Sequence, residues 1–139
     1  MDIKTLKTAI KTKGCGDIVD ITNIVAEKLA NTEFNEGNIL IFAPGATTAL
    51  TTIEYEDGLI RDLKDLMKKL APADFDYFHN RRWNDGNGHS HLLSALFKAS
   101  LTIPFYNKTM ILGTWQQIVF VECDNRPRTR EIIIQITGK

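Results

Sequence analysis

Short apolar segments separated by turn residues constrain the fold of this chain more than any other feature. Residues 39–42 form a continuous apolar run of strand length, and residues 46–54 are rich in β-branched side chains. The opening residues 2–11 and the later segments 117–123 and 131–136 also have strand character. Because strands outnumber helices and their connections are short, we predict largely antiparallel pairing.

Turn signals divide these segments. Residues 14–17 and 36–38 contain the glycines and polar residues that are typical of turns. Asn107 and Lys108 separate two further apolar segments, 101–106 and 109–112, which predicts a β-hairpin.

Three helices are expected. Apolar residues recur at helical spacing from Ile21 toward Asn31, and residues 57–70 form the clearest amphipathic pattern, which Pro72 ends. Residues 92–97 predict a short third helix, whereas residues 72–90 are polar and aperiodic and are predicted as a long loop. The expected fold is therefore mixed α/β (α+β), with residues 1–139 as one compact domain in which a largely antiparallel sheet or sandwich packs against helices.

Charge and composition limit the partners. The chain has 17 Lys and Arg against 17 Asp and Glu, so its net charge is zero. A nucleic-acid partner is not expected, because binding to a phosphate backbone requires a concentrated basic face. A neutral chain also does nothing to oppose its own association.

The expected compartment is the cytoplasm. The two cysteines, Cys15 and Cys123, form no CxxC pair, which favours a reducing environment. No apolar run approaches the roughly 18 residues of a membrane span, and the first four residues contain no apolar signal core.

All three histidines lie between residues 79 and 91. His89 and His91 alternate and would lie on one side of an extended segment, as two ligands of one metal ion should, with His79 in the same predicted loop. The alternative, of equal weight, is a polar loop whose histidines cap a helix or face solvent.

Hydroxyl and carboxylate groups follow the Pro44–Gly45 turn. Thr47 and Thr48 offer hydroxyls and backbone amides that could cradle phosphate, although simple β-propensity is the commoner explanation. Glu54 and Glu56 alternate and could hold Mg²⁺, although solvated glutamates are commoner on strands.

Two further segments could bind a substrate. Trp115 could stack on a flat heterocycle that Gln116 orients, with a buried core tryptophan as the alternative. Arg126, Arg128 and Arg130 are two residues apart and could bind phosphate from one side of an extended turn, or lie on a solvated hairpin tip neutralised by nearby acids. We expect Arg130 to be the structural member.

Taken together, these segments resemble the YjbQ family, the secondary thiamine-phosphate synthase family. The similarity is carried by TTIEYE at 51–56, DGNGHSH at 85–91, SLTIP at 100–104, LGTWQQI at 112–118 and the arginine turn 126–130. It implies a compact, largely antiparallel α/β domain, a homotrimer with sites near subunit boundaries, and weak thiamine-phosphate synthase activity. That reaction joins hydroxymethylpyrimidine diphosphate to a thiazole phosphate and releases pyrophosphate.

The chain departs from the family pattern at one point. Many members have a His-Thr-Ser/Thr-Ala stretch where residues 45–48 read Gly-Ala-Thr-Thr, and often proline where His89 stands. His89 would then replace the missing imidazole from across the site.

The favoured hypothesis is a transferase that acts on phosphorylated small molecules with Mg²⁺ or another divalent metal. Three sets of residues are assigned: catalytic His89, His91, Asn87, Trp115 and Gln116; phosphate-binding Thr47, Thr48, Ser90, Arg126 and Arg128; and metal-binding His79, His89, His91 and Glu54. The alternatives are a non-catalytic module that binds a phosphorylated metabolite or metal, and a hydrolase that uses metal-activated water.

Overall fold

The computed structural model describes all 139 residues. Its elements follow in the order β1 (Asp2–Lys11), β2 (Ile18–Asp20), α1 (Thr22–Ala30), β3 (Glu36–Phe42), β4 (Thr48–Ile53), α2 (Asp57–Leu70), α3 (Phe78–Trp83), α4 (Gly88–Phe97), β5 (Ser100–Tyr106), β6 (Thr109–Met110), β7 (Gln117–Glu122) and β8 (Thr129–Gly138).

Two antiparallel sheets form the framework. The larger has the strand order β1-β8-β3-β5-β6, and the smaller has the order β2-β7-β4. The longest pairing joins β1 to β8, from Asp2 opposite Gly138 to Lys11 opposite Thr129. The predicted mixed α+β domain with antiparallel sheets is confirmed.

The small sheet is covered on both faces. On one face, Ile118 and Phe120 of β7 join the main core with isoleucines of the large sheet and residues of α1. On the other face, Val119 and Val121 pack in a second cluster with Met67 of α2 and Leu93 of α4. A strand that is buried on both faces has a continuous apolar sequence, which explains the run in β7.

Helices α1 and α2 lie where the periodicity predicts them, but two predictions are wrong. Residues 36–38 belong to β3 instead of a turn, and a β-carbon at Gly37 would lie 2.0 Å from the carbonyl oxygen of Thr137. Residues 72–90 contain α3 and the start of α4. Since α3 buries none of its residues completely, its sequence has no apolar periodicity to reveal it.

The short strand β2 was not predicted from the sequence. None of the four helices combines the length and the hydrophobicity that crossing a membrane requires.

Candidate functional site

A cavity of about 450 Å³ opens between α2, the first two turns of α4 and the four connecting segments that carry Cys15 and Gly16, Ala73, Gly86 and Asn125. It is lined by Cys15, Gly16, Lys64, Met67, Lys68, Ala71, Ala73, Gly86, His89, Leu93 and Asn125. The volume is in the range of small-molecule sites, and the wall mixes apolar side chains with a few polar ones, as such sites usually do.

Helix α2 supplies the cationic wall. Lys64, Met67, Lys68 and Ala71 are three and four residues apart, so they share one face of the helix, and all four line the cavity. Met67 and Ala71 form the apolar part of that wall, while the two lysines bring two positive charges to its rim.

His89 lies in the first turn of α4 and is only 4% exposed. Its Nε2 lies 3.4 Å from the hydroxyl oxygen of Ser90, which is itself fully buried, and its Nδ1 has no hydrogen-bond partner. Burial lowers the pKa of His89, although Gly86 and Asp124 oppose this shift. The direction of this shift favours the neutral imidazole, whose Nδ1 is free to bind a partner.

Two more buried atoms without partners lie in the same neighbourhood. They are Oδ1 of Asn87 and Oδ1 of Asp124, whose side chain is 3% exposed. Asn87 lies near Asp124, and the charge of Asp124 acts on His89. Buried polar atoms are normally paired, so this group is suited to contact a bound polar molecule.

A buried network of ion pairs and hydrogen bonds holds the Asp124 side chain in place. Arg130 donates two hydrogen bonds to the fully buried carboxylate of Glu122, at 2.6 and 2.7 Å, and a third to the hydroxyl oxygen of Thr47. Thr47 in turn donates to Oδ2 of Asp124 at 3.1 Å. Burial acts to raise the pKa of Asp124, but the Thr47 hydrogen bond and the charges of Arg128 and Arg130 together lower it.

The predicted phosphate ligands mostly have partners within the chain. The Thr47 hydroxyl is part of the network, and Thr48 donates to the carbonyl oxygen of Ala43 at 3.2 Å. Arg128 pairs with Asp124 at 2.9 Å, whereas Arg126 is exposed and has no ion pair.

The three arginines do not share one side of an extended segment. Strand β8 begins at Thr129, so Arg126 and Arg128 precede it, while Arg130 is buried against Glu122. The expectation that Arg130 is the structural member is confirmed.

Helix α4 separates His89 and His91, which the sequence analysis predicts to lie on one side of an extended segment. Residues 88–97 are helical, so the predicted extended conformation at His89 and His91 is wrong. Two residues along a helix rotate a side chain by about 200°, so the two imidazoles point to different sides.

His91 instead joins His79 and Asp85. The ring centroids of His79 and His91 are 4.4 Å apart, and Nε2 of His79 lies 3.3 Å from Oδ2 of Asp85. One ligand atom from each of the three residues lies within 4.8 Å of the other two. Neither His89 nor Glu54 is part of this cluster.

The remaining predicted residues lie outside the cavity. Trp115 is 71% exposed, so the alternative of a buried core tryptophan is excluded. Gln116 accepts a hydrogen bond from the backbone N–H of Gly113 and donates to the hydroxyl oxygen of Thr52, both at 3.0 Å. Glu54 is exposed, and the carboxylate of Glu56 caps α2 by accepting from two backbone N–H groups.

The cavity also brings in residues that the sequence analysis did not assign to the site: Cys15, Lys64, Lys68 and Asn125. The spacing of Lys64, Met67 and Lys68 places them on one face of α2, but the same spacing is typical of a helix face exposed to solvent, so it does not indicate a cavity. Burial raises the pKa of the Cys15 thiol, and the charges of Glu122 and Asp124 raise it further.

Comparison with known proteins identifies the family. The family model described as UPF0047 protein YjbQ-like matches residues 6–139. This chain belongs to the YjbQ family. A UPF0047 protein of Archaeoglobus fulgidus is 39% identical over 131 residues, covering 94% of this chain and 96% of that protein. A UPF0047 protein of Methanothermobacter thermautotrophicus is 34% identical and covers 100% of this chain and 95% of its own length.

Solved structures of similar proteins have the same fold. A crystal structure of a protein of unknown function from Sulfolobus solfataricus superposes with a TM-score of 0.89 at 28% identity, covering 99% of this chain and 100% of that one. A hypothetical protein from Aeropyrum pernix gives the same TM-score at 29% identity, covering 98% and 99%. These names state no activity, so the family membership establishes the fold and leaves the reaction to be argued from the site.

Proposed function

We propose that this YjbQ protein binds phosphorylated heterocycles in the cavity between α2 and α4 and acts as a thiamine-phosphate synthase-type transferase. The observation that carries the proposal is the juxtaposition of Lys64 and Lys68 with the buried, partly unpartnered imidazole of His89 in one cavity of about 450 Å³.

The reaction requires stabilisation of negative charge. The carbon–oxygen bond between the pyrimidine methylene and the diphosphate breaks, and the bonding electrons leave with pyrophosphate. The thiazole nitrogen supplies the electron pair for the new carbon–nitrogen bond. Lys64 and Lys68 line the cavity, and their ammonium groups would neutralise the leaving diphosphate, with Lys68 turning from its exposed 3.6 Å pair with Asp65.

The inner part of the cavity suits a heterocyclic ring. Met67, Ala71 and Leu93 provide apolar surface for its faces. The unpartnered Nδ1 of His89, which lines the cavity, would provide a polar contact for its edge, whereas Asn87, also predicted to be catalytic, is not among the lining residues. Ser90 supports the imidazole of His89 from the same turn.

A protein-held Mg²⁺ does not fit this cavity. Magnesium prefers oxygen ligands, yet none of the lining residues carries a carboxylate, and Glu54 is exposed elsewhere. The proposal therefore assigns no step to a metal that the cavity wall holds.

The homotrimer is retained as part of the proposal. Trp115 and Gln116 lie outside the cavity of their own chain, and a site at a subunit boundary would let them act on a neighbouring subunit's substrate. Arg126 is exposed and could bind phosphate in the same manner. The cytoplasm is the proposed compartment, because both cysteines are free.

The test is formation of thiamine phosphate together with pyrophosphate from the two precursors. Lys64→Gln and Lys68→Gln should each weaken binding of the diphosphate substrate by about 10- to 100-fold, since a charge-assisted hydrogen bond contributes about 1.5–3 kcal/mol. Lys69→Gln removes the same charge from the same helix outside the cavity and should behave as wild type.

Three outcomes would replace the proposal. Saturable binding of either precursor without turnover would favour the non-catalytic binding module. Release of pyrophosphate without thiamine phosphate would indicate a hydrolase. Equal activity in wild type and both cavity lysine variants would show that the reaction takes place elsewhere.

A further inference from the structure

The cluster formed by His79, Asp85 and His91 shares no residue with the lining of the cavity. We infer that this cluster is a binding site for one borderline divalent metal ion of the Zn²⁺ class, and the inference does not depend on the proposed function. The ligand atoms come from the first turn of α3, the first turn of α4 and the connection between the two helices.

The separations suit such an ion. Tetrahedral Zn²⁺ with bonds of about 2.0–2.1 Å places its ligand atoms about 3.3 Å apart. Nε2 of His79 and Oδ2 of Asp85 are already 3.3 Å apart, and all three ligand atoms lie within 4.8 Å of one another. The side chains of His79 and Asp85 are 31% and 41% exposed, so they have room to close around an ion by small rotations.

The surrounding structure fixes the two helices that carry the ligands. Gly88 at the start of α4 donates its backbone N–H to Oδ1 of Asn80 in α3 at 2.8 Å. A β-carbon at Gly88 would lie 2.8 Å from the β-carbon of Tyr77, so glycine is required for this close approach. The contact holds the first turns of α3 and α4, and with them the two imidazoles, next to each other.

The connection that carries Asp85 is also fixed. Asn84 and Gly86, on either side, have left-handed backbone conformations with φ of 51° and 65°. Oδ1 of Asp85 accepts the backbone N–H of Asn87 at 3.1 Å, which leaves Oδ2 directed to His79. A hydrogen bond of this kind orients a carboxylate in the way that supporting residues orient metal ligands.

The donor set selects the class of metal. Two imidazole nitrogens and one carboxylate oxygen match Zn²⁺, Co²⁺ and Ni²⁺, whereas Mg²⁺ requires mainly oxygen ligands. Three protein ligands leave one tetrahedral position for water or for an oxygen of a bound anion. The predicted metal set is thereby revised: His79 and His91 remain, Asp85 enters, and His89 and Glu54 leave.

The experiment is titration of the full-length, metal-free protein with Co²⁺, followed by visible absorption, and with Zn²⁺ in competition. We expect one ion per chain, no competition from Mg²⁺, and a rise in melting temperature with Zn²⁺. His79→Gln, Asp85→Asn and His91→Gln should each weaken binding by about tenfold or more.

Three variants serve as controls and should bind Co²⁺ as wild type does. His89→Gln removes the remaining histidine, Asp76→Asn removes an exposed carboxylate near α3, and Cys15→Ser removes the cavity thiol. Circular dichroism should show that each cluster variant is folded, and the nearly isosteric Asp85→Asn provides a test if a histidine variant is not.

Several results would overturn the inference. One is the absence of saturable Co²⁺ or Zn²⁺ binding by the wild type. Others are wild-type affinity in Asp85→Asn and His79→Gln, loss of binding in Cys15→Ser or His89→Gln, or displacement of Co²⁺ by equimolar Mg²⁺. These experiments measure metal affinity, so their outcome does not depend on whether the protein has synthase activity.

Discussion

Glu122→Gln should destabilise the protein strongly, because the substitution removes the main counter-charge of the buried Arg130 guanidinium. Glu122 is fully buried, and the side chain of Arg130 is only 7% exposed. Oε1 and Oε2 of Glu122 accept from Arg130 at 2.6 and 2.7 Å, while Thr12 donates to Oε2 at 2.7 Å. After the substitution, the nearest carboxylate to Arg130 is that of Asp124, at 3.6 Å.

The expected loss is about 3–5 kcal/mol, the range observed when one partner of a buried ion pair is removed. Natural domains have unfolding free energies of about 5–15 kcal/mol, so this loss is a large part of the total. With a urea m-value of about 2 kcal/mol/M, the unfolding midpoint should fall by about 1.5–2.5 M.

Equilibrium urea unfolding followed by circular dichroism measures this loss. Arg130→Met should have an effect of similar size, and the double variant should lose less than the sum of the two, since neither charge is then buried alone. Glu131→Gln breaks the exposed 3.5 Å pair with Lys7 and serves as the matched control, with an expected change of no more than about 1 kcal/mol. A loss below about 1 kcal/mol for Glu122→Gln would show that the pair is more solvated than its burial indicates.

Three further predictions follow from the cavity and the sheet surface. The pKa of the Cys15 thiol is raised, so its alkylation by iodoacetamide should be slow at neutral pH and still accelerate above pH 9. Cys123, with a pKa of about 12, should react only when the protein unfolds. Mass spectrometry locates the label, and rapid labelling of Cys15 at neutral pH would contradict this prediction. The folded-state pKa of Asp124 is lowered, so its contribution to stability is fully present above the unfolded pKa of about 3.9 and is lost as pH falls through the folded pKa. Asp124→Asn should therefore lower stability at pH 7 and weaken the dependence of stability on pH below about pH 4. Thermal unfolding measures both, and a melting temperature with the wild-type pH dependence would argue against this prediction. The proposed homotrimer predicts that light scattering gives the mass of three chains at micromolar concentration, and the exposed Leu40 and Phe42 on β3 offer apolar surface for the association; the mass of a monomer would contradict the proposal.

The fold was predictable where one physical signal decides the structure. Strand-length apolar runs separated by turns indicate antiparallel sheets, and the spacing in residues 57–70 identifies α2 without knowledge of the rest of the chain. The signal fails for α3, because none of its residues is fully buried and contacts with α4 hold it instead. The turn predicted at Gly37 fails for a related reason: this glycine is required by close packing against Thr137, a contact 100 residues away in sequence.

The candidate site was predictable in its residue types but not in its grouping. The three histidines between residues 79 and 91 fall into two groups: His89 lines the cavity, whereas His79 and His91 lie together with Asp85. Lys64 and Lys68 resemble an ordinary solvated helix face, and only the position of α2 beside α4 makes them part of a cavity wall. A sequence pattern identifies which residues share a helix face, but the tertiary packing decides what that face contacts.

The conformation of one short segment determines whether this chain has one candidate site or two. If residues 88–91 were extended, His89 and His91 would lie on the same side and act as ligands of one ion. Residues 88–91 instead form the first turn of α4, which directs His89 toward the cavity and His91 toward His79. Two groups that share no ligand atom have largely independent energetics, so a loss of metal and a loss of substrate binding should be separable by substitution. A bound ion could still affect the cavity, because Asp85 directly precedes Gly86 in the cavity wall and its carbonyl oxygen accepts a hydrogen bond from Asn125.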